Sequence, residues 1–166
     1  MSKPRSVIAR MAAMVLAAAL LPTPNRATDI PLVGDAHVIP DFPTINFGSI
    51  SNLYVGNGSW ALVQFDLTAL PTGTTASQVA RANLRLYVNR VNTPGAMDLH
   101  AIQAAWNEST VTYSNAPAIG ATLATVPITT ANTFIDIDVT QVVQGWITTP
   151  SSNFGFAIAP AVTEAG

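Results

Sequence analysis

Asp136 and Asp138 stand two residues apart in the segment Phe134-Ile-Asp-Ile-Asp-Val139, so on an extended chain both carboxylates point to one face. A carboxylate pair on one face is the raw material for general acid–base catalysis or for calcium ligation. Catalysis needs a further polar partner, and no third group can be tied to this pair by spacing. No G-x-S-x-G elbow is present to expose a serine nucleophile. His37 and His100 are the only histidines, share no metal-ligand spacing, and read as outward strand residues. The chain has no cysteine, which excludes disulfides, thiol chemistry and cysteine–zinc sites. No catalytic residue is assigned. Asp138 reads as a cap for the turn that begins at Thr140, and Asp136 as a solvated face residue.

Binding chemistry has more candidates. Trp106-Asn-Glu-Ser-Thr110 offers an aromatic face beside a carboxylate, the arrangement that stacks on a sugar ring. A packing role explains it better: Trp106 plugs an edge, Glu108 accepts backbone N–H bonds and Asn115 fixes a turn. Tyr54 and Trp60 flank the Asn57-Gly turn, and Tyr87 lies opposite the Leu84/Leu86 face. Tyr54, Trp60, Arg85, Tyr87 and Trp106 are the ligand-contacting candidates, with core packing an equal account of Trp60. Arg81 and Arg85 share a strand face and Arg90 follows it. They suit an anionic polysaccharide, or simply a solvated face that discourages sheet pairing. Asp35 and Asp41 flank an early strand and loop. They are oxygen donors of the kind calcium takes, and such an ion would be a structural staple in a chain without disulfides.

Strands must position these groups. Ser59–Leu67 and Arg81–Arg90 both alternate at period two. Trp60, Leu62 and Gln64 oppose Ala61, Val63, Phe65 and Leu67; Ala82, Leu84, Leu86 and Val88 oppose Arg81, Asn83, Arg85, Tyr87 and Asn89. The two segments read as central strands, each with one face in a core and one in water. Further strands are expected at 34–39, 52–56, 96–102, 121–128, 133–139 and 153–160. Asn57-Gly is a hairpin signal. After Thr140 the spacing turns helical, with Val142, Val143 and Trp146 on one face. Strands at this spacing, about eight or nine of them, predict a single all-β sandwich with one short helical turn before the last strand.

The formal charge of −2 hides an asymmetry. Lys3, Arg5, Arg10 and Arg26 lie in the first 27 residues, ahead of every acid. Beyond them three arginines face nine acids, a net charge of about −6. That balance excludes a nucleic-acid footprint. Residues 1–27 read as a secretory signal peptide: basic residues, the uncharged run Met11–Leu21, then Pro22 and Pro24. The run is well short of the roughly 20 residues of a membrane span. A secreted domain over residues 28–166 is therefore expected, with no transmembrane segment after cleavage.

Several ordered segments now join: Asp35 with Asn46-Phe-Gly48, Val63-Gln-Phe-Asp-Leu67 with Leu70-Pro71, and Ala82-Asn-Leu-Arg-Leu-Tyr87. They continue through Trp106-Asn-Glu108, Thr110-Val-Thr-Tyr113, Asn115-Ala-Pro117, Ile137-Asp-Val-Thr140, Trp146 and Asn153-Phe-Gly-Phe156. Over about residues 34–159 the chain resembles the DNRLRE-type, or disaggregatase-related, domain, also described as carbohydrate-binding module family 96. Tyr113 stands where a tryptophan is common. The resemblance implies a jelly-roll-like β-sandwich in secreted or surface proteins, and polysaccharide binding for some members. The expected function is a non-catalytic module that binds an extracellular or cell-surface polysaccharide. The alternative is a structural or adhesive head domain acting through protein contacts, self-association included.

Overall fold

The computed structural model describes residues 27–161. Apart from Ala27, the expected leader lies outside the described residues. Among the described residues seven strands and one α-helix are formed: β1 (Leu32–Val38), β2 (Trp60–Phe65), β3 (Asn83–Val88), β4 (Gly95–Ile102), β5 (Ile119–Ile128), β6 (Thr133–Asp138), α1 (Thr140–Thr148) and β7 (Phe156–Pro160). The strands build two antiparallel sheets, consistent with a β-sandwich. One is five-stranded in the order β1-β2-β7-β4-β5; the other pairs β3 with β6.

The count of strands falls below the expected eight or nine because 52–56 forms only a single bridge, Gly56 to Ser59. The turn inside that bridge is as read from sequence. Asn57 and Gly58 both have positive φ (51° and 77°), which a two-residue hairpin turn of this hand requires.

β2 departs from the expected half-wet strand. It lies second in the large sheet and both its faces are covered. Ala61 and Val63 enter one core with Met97, Leu99, Phe156 and Ile158 from the same sheet, Leu84 and Ile137 from the small sheet, and Trp146 from α1. Leu62 enters a second core on the opposite face, with Ala36, Val38, Ile102, Val111 and Ala157. Ala61 and Leu62 are both fully buried. A two-stranded sheet is too narrow to cover five strands, and α1 completes the cover: Val142, Val143 and Trp146 pack onto the first core, and the Trp146 ring lies 4.7 Å from that of Phe156. The second core is closed by the loop between β4 and β5, which carries Trp106, Val111 and Ala116.

β3 is likewise not a central strand. The segment 66–82 carries the chain from the large sheet to the small one, with Asp66 accepting the Thr68 N–H at its start. Hydrogen bonding from the Thr68 side chain, and then from its backbone N–H, keeps the Asp66 carboxyl below its usual range.

Two motifs of the resemblance prove to be locks between elements. The Asn46 amide donates to the carbonyls of Glu108 and Val111, both at 2.7 Å, and holds the loop after β1 against the loop that covers the second core. In Asn153-Phe-Gly-Phe156, the Asn153 side-chain amide donates to Phe65 O, and the Asn153 backbone carbonyl accepts from the Gln64 side-chain amide. Gly155 has φ +87°, and a Cβ there would overlap the Val63 carbonyl. Only glycine lets β7 approach β2 this closely.

Candidate functional site

The small sheet has one wet face, and its register says what stands there. Asn83 pairs with Asp138, Arg85 with Asp136 and Tyr87 with Phe134. Leu84, Leu86, Ile135 and Ile137 alternate with these and turn into the core. All six outward residues are exposed. Phe134 is 55 % and Tyr87 53 % accessible, large for aromatic groups with a core beneath them. This exposed aromatic pair, rimmed by polar groups, is the candidate site.

The pair is held in place by its neighbours. The Tyr87 and Phe134 rings are 4.9 Å apart at 53°. The Tyr87 hydroxyl donates to Asn132 Oδ1 at 3.4 Å. The Arg85 guanidinium carbon lies 4.6 Å from the Phe134 ring centroid, and its Nε is 3.6 Å from Asp136 Oδ1. Both partners of that ion pair are well exposed, so it orients side chains more than it stabilises the fold. The face thus carries two aromatic rings, the Arg85 guanidinium and the carboxylates of Asp136 and Asp138, with Arg85 over one ring.

Asp136 and Asp138 share a face as their spacing implied, but each has its own structural partner. Asp138 Oδ1 accepts the Thr140 backbone N–H at 2.9 Å and its hydroxyl at 2.6 Å, and these bonds hold the carboxyl below its usual range. The Thr140 oxygen in turn accepts the Ala82 N–H, tying the start of α1 to the approach of β3. Asp138 is therefore the residue that anchors the helix start.

Of the five ligand-contacting candidates, the structure brings together Arg85 and Tyr87. Trp106 is half-buried in the second core and donates from Nε1 to Phe154 O at 2.9 Å, the packing role that its sequence context favoured. The carboxylate expected beside it does not do the loop's bonding. The Glu108 backbone carbonyl and the amides of Asn107 and Asn115 do. Trp60 packs against the same core. The Tyr54 hydroxyl accepts from Asn57 at the hairpin turn. Asp35 is half-buried within β1 and Asp41 is exposed beyond its end. Among the described residues no three His, Asp or Glu side chains converge on a metal position. His37 corrects the outward reading: it is 4 % exposed and stacked on Phe47 at 5.0 Å, because the loop after β1 folds back over the strand. Its Nδ1 has no partner, and burial lowers its pKa.

Phe134 escaped the sequence reading as a ligand-contacting residue. Its alternation in β6 was visible, but only pairing of β6 with β3 sets it beside Tyr87 and Arg85.

These features define a class: a two-sheet antiparallel β domain with an exposed aromatic–polar face. The chain matches the family described as Carbohydrate-binding module family 96 over residues 26–165, and it belongs to that family. No curated protein sequence matches it significantly.

Proposed function

We propose that this chain is a secreted, non-catalytic module of jelly-roll type that binds an extracellular polysaccharide through the outer face of β3 and β6. The observation that carries the reading is the exposed Tyr87–Phe134 pair with Arg85 and Asp136 fixed beside it. Family membership supports carbohydrate as the ligand. The basic, apolar leader supports secretion. In this reading a sugar ring stacks on the aromatic pair while Arg85 donates to its hydroxyls and Asp136 accepts from them.

A second reading, assembly through protein contacts, has an observation of its own. Phe42, Ile45 and Ile50, in the loop after β1, are each about half exposed. Exposed apolar side chains of this kind in one loop suit a protein partner better than a sugar. A glycan-array and polysaccharide-pulldown screen, with Tyr87→Ala and Phe134→Ala as controls, separates the two. Saturable binding lost in both variants sustains the carbohydrate reading. Absence of binding to neutral and anionic polymers alike transfers the case to the assembly reading.

A further inference from the structure

β5 and β6 are joined by a short turn, yet they belong to different sheets. β5 is the edge of the large sheet and β6 pairs only with β3. The side of the domain between them is an open seam with a cavity at each end. One, of about 260 Å³, is bounded by Ile128, Thr129 and Thr130 on one side and by Phe134 on the other. The second, of about 500 Å³, lies between Leu123 of β5, Asp138 of β6 and Gln141 of α1. Phe134 and Asp138 are both on β6, four residues apart, so the two ends are separated by about 13 Å. That distance suits several linked pyranose rings.

The residues that line the first cavity include no charged side chain and three threonines, Thr129, Thr130 and Thr133. Asp138 is the one charged group of the second. Its two bonds to Thr140 both fall on Oδ1, which leaves Oδ2 for a ligand hydroxyl. Leu123 is 44 % exposed and offers an apolar surface beside it. Phe134 belongs both to this seam and to the outer face of the small sheet, so the two surfaces are continuous.

We infer that an extended oligosaccharide lies along the β5–β6 seam, over Phe134 at one end and against Leu123, Asp138 and Gln141 at the other. The module then grips an internal stretch of chain rather than a chain end. This rests on the polysaccharide reading above and adds a direction and a set of subsites to it.

Isothermal titration of the chain with cello-oligosaccharides and with oligogalacturonates, each from disaccharide to hexasaccharide, tests it. In one of these ladders affinity rises with length by roughly tenfold or more, the gain expected from two further hydrogen bonds of ordinary strength. Gln141→Ala with Leu123→Ala removes that gain and leaves disaccharide binding intact. Gln141 is exposed, and Gln141→Ala alone, which removes no packed group, is the control for folding. A flat length dependence, or a gain that survives the double variant while Tyr87→Ala still abolishes binding, overturns the seam and leaves the sheet-face reading standing. Failure of both ladders to bind the unaltered chain overturns the seam; the polysaccharide reading falls with it only if the glycan-array and pulldown screen is also blank.

Discussion

Arg85 pairs across the strands with Asp136, yet its guanidinium carbon rests 4.6 Å from the ring centroid of Phe134, two residues further along β6. One side chain therefore couples the charge of the face to its aromatic surface. The guanidinium covers part of that ring and, being weakly hydrated, presents a flat donor to whatever lies on it. Arg85→Lys keeps the charge and loses the planar fork. It is expected to weaken polysaccharide retention roughly tenfold while leaving the melting temperature within about 2 °C of wild type, as befits an exposed pair. Affinity electrophoresis beside thermal denaturation checks both halves.

Phe134→Ala removes an aromatic surface that the core does not need. Unfolding free energy should change by less than about 0.5 kcal/mol, the usual range for exposed substitutions. Retention on a polysaccharide matrix should fall roughly tenfold or more, as expected when an aromatic contact is deleted. A large loss of stability would show that the ring holds the small sheet together and would remove its claim to a binding role.

Trp146→Ala is the opposite case. The ring is 5 % exposed and lies against Phe156 where α1 caps the first core. The variant should lose about 3–5 kcal/mol. A urea midpoint close to wild type would mean that α1 is not the cover the packing implies.

Gly155→Ala meets two obstacles at once: φ of +87° and overlap with the Val63 carbonyl. The destabilisation should exceed about 1 kcal/mol, since the native backbone is incompatible with a side chain. Gly95→Ala, where a Cβ meets nothing within 4 Å, is the control and should be far milder.

Stability should also depend on pH through His37. Burial sets its folded pKa below the ordinary 6.5. The unfolded chain therefore takes up a proton first as pH falls. Stability is complete above 6.5, declines as pH drops from there to the lowered folded pKa, and levels off below it. The bonds to Asp66 and Asp138 act in a lower window. Both carboxyls are held below 3.8, so their contribution is present above that value and is lost as pH falls through their folded pKa. Melting curves between about pH 7.5 and pH 5.5 should fall with pH in the wild type. In His37→Leu they should be flatter.

Much of the scaffold was legible because period-two alternation is a local property. The faces of β2, β3 and β6, the Asn57-Gly turn and the helical spacing after Thr140 all follow from residues near one another. What alternation does not encode is the partner strand. Ser59–Leu67 reads as half-wet because Gln64 and Asp66 interrupt its polar side, and burial of Leu62 depends on a loop more than 40 residues away. His37 was misread for the same reason: its cover, Phe47, arrives by a turn of the chain with no periodic signature. The binding face was half legible. Tyr87 and Arg85 stand out on one strand, while Phe134 joins them only through the register of β3 with β6.

The order of the large sheet has a consequence for how the chain acquires its structure. β7, the last of the seven strands in sequence, lies between β2 and β4. Without it the sheet is two separate pairs, β1-β2 and β4-β5, and Phe156, Ala157 and Ile158 are missing from the two cores. A chain made from its N-terminus can pair β3 with β6 early, but its large sheet is unfinished until β7 has emerged and been inserted. Such non-local closure is slow compared with helix or hairpin formation. Until then the facing edges of β2 and β4 stay unpaired, a liability that only the final strand removes.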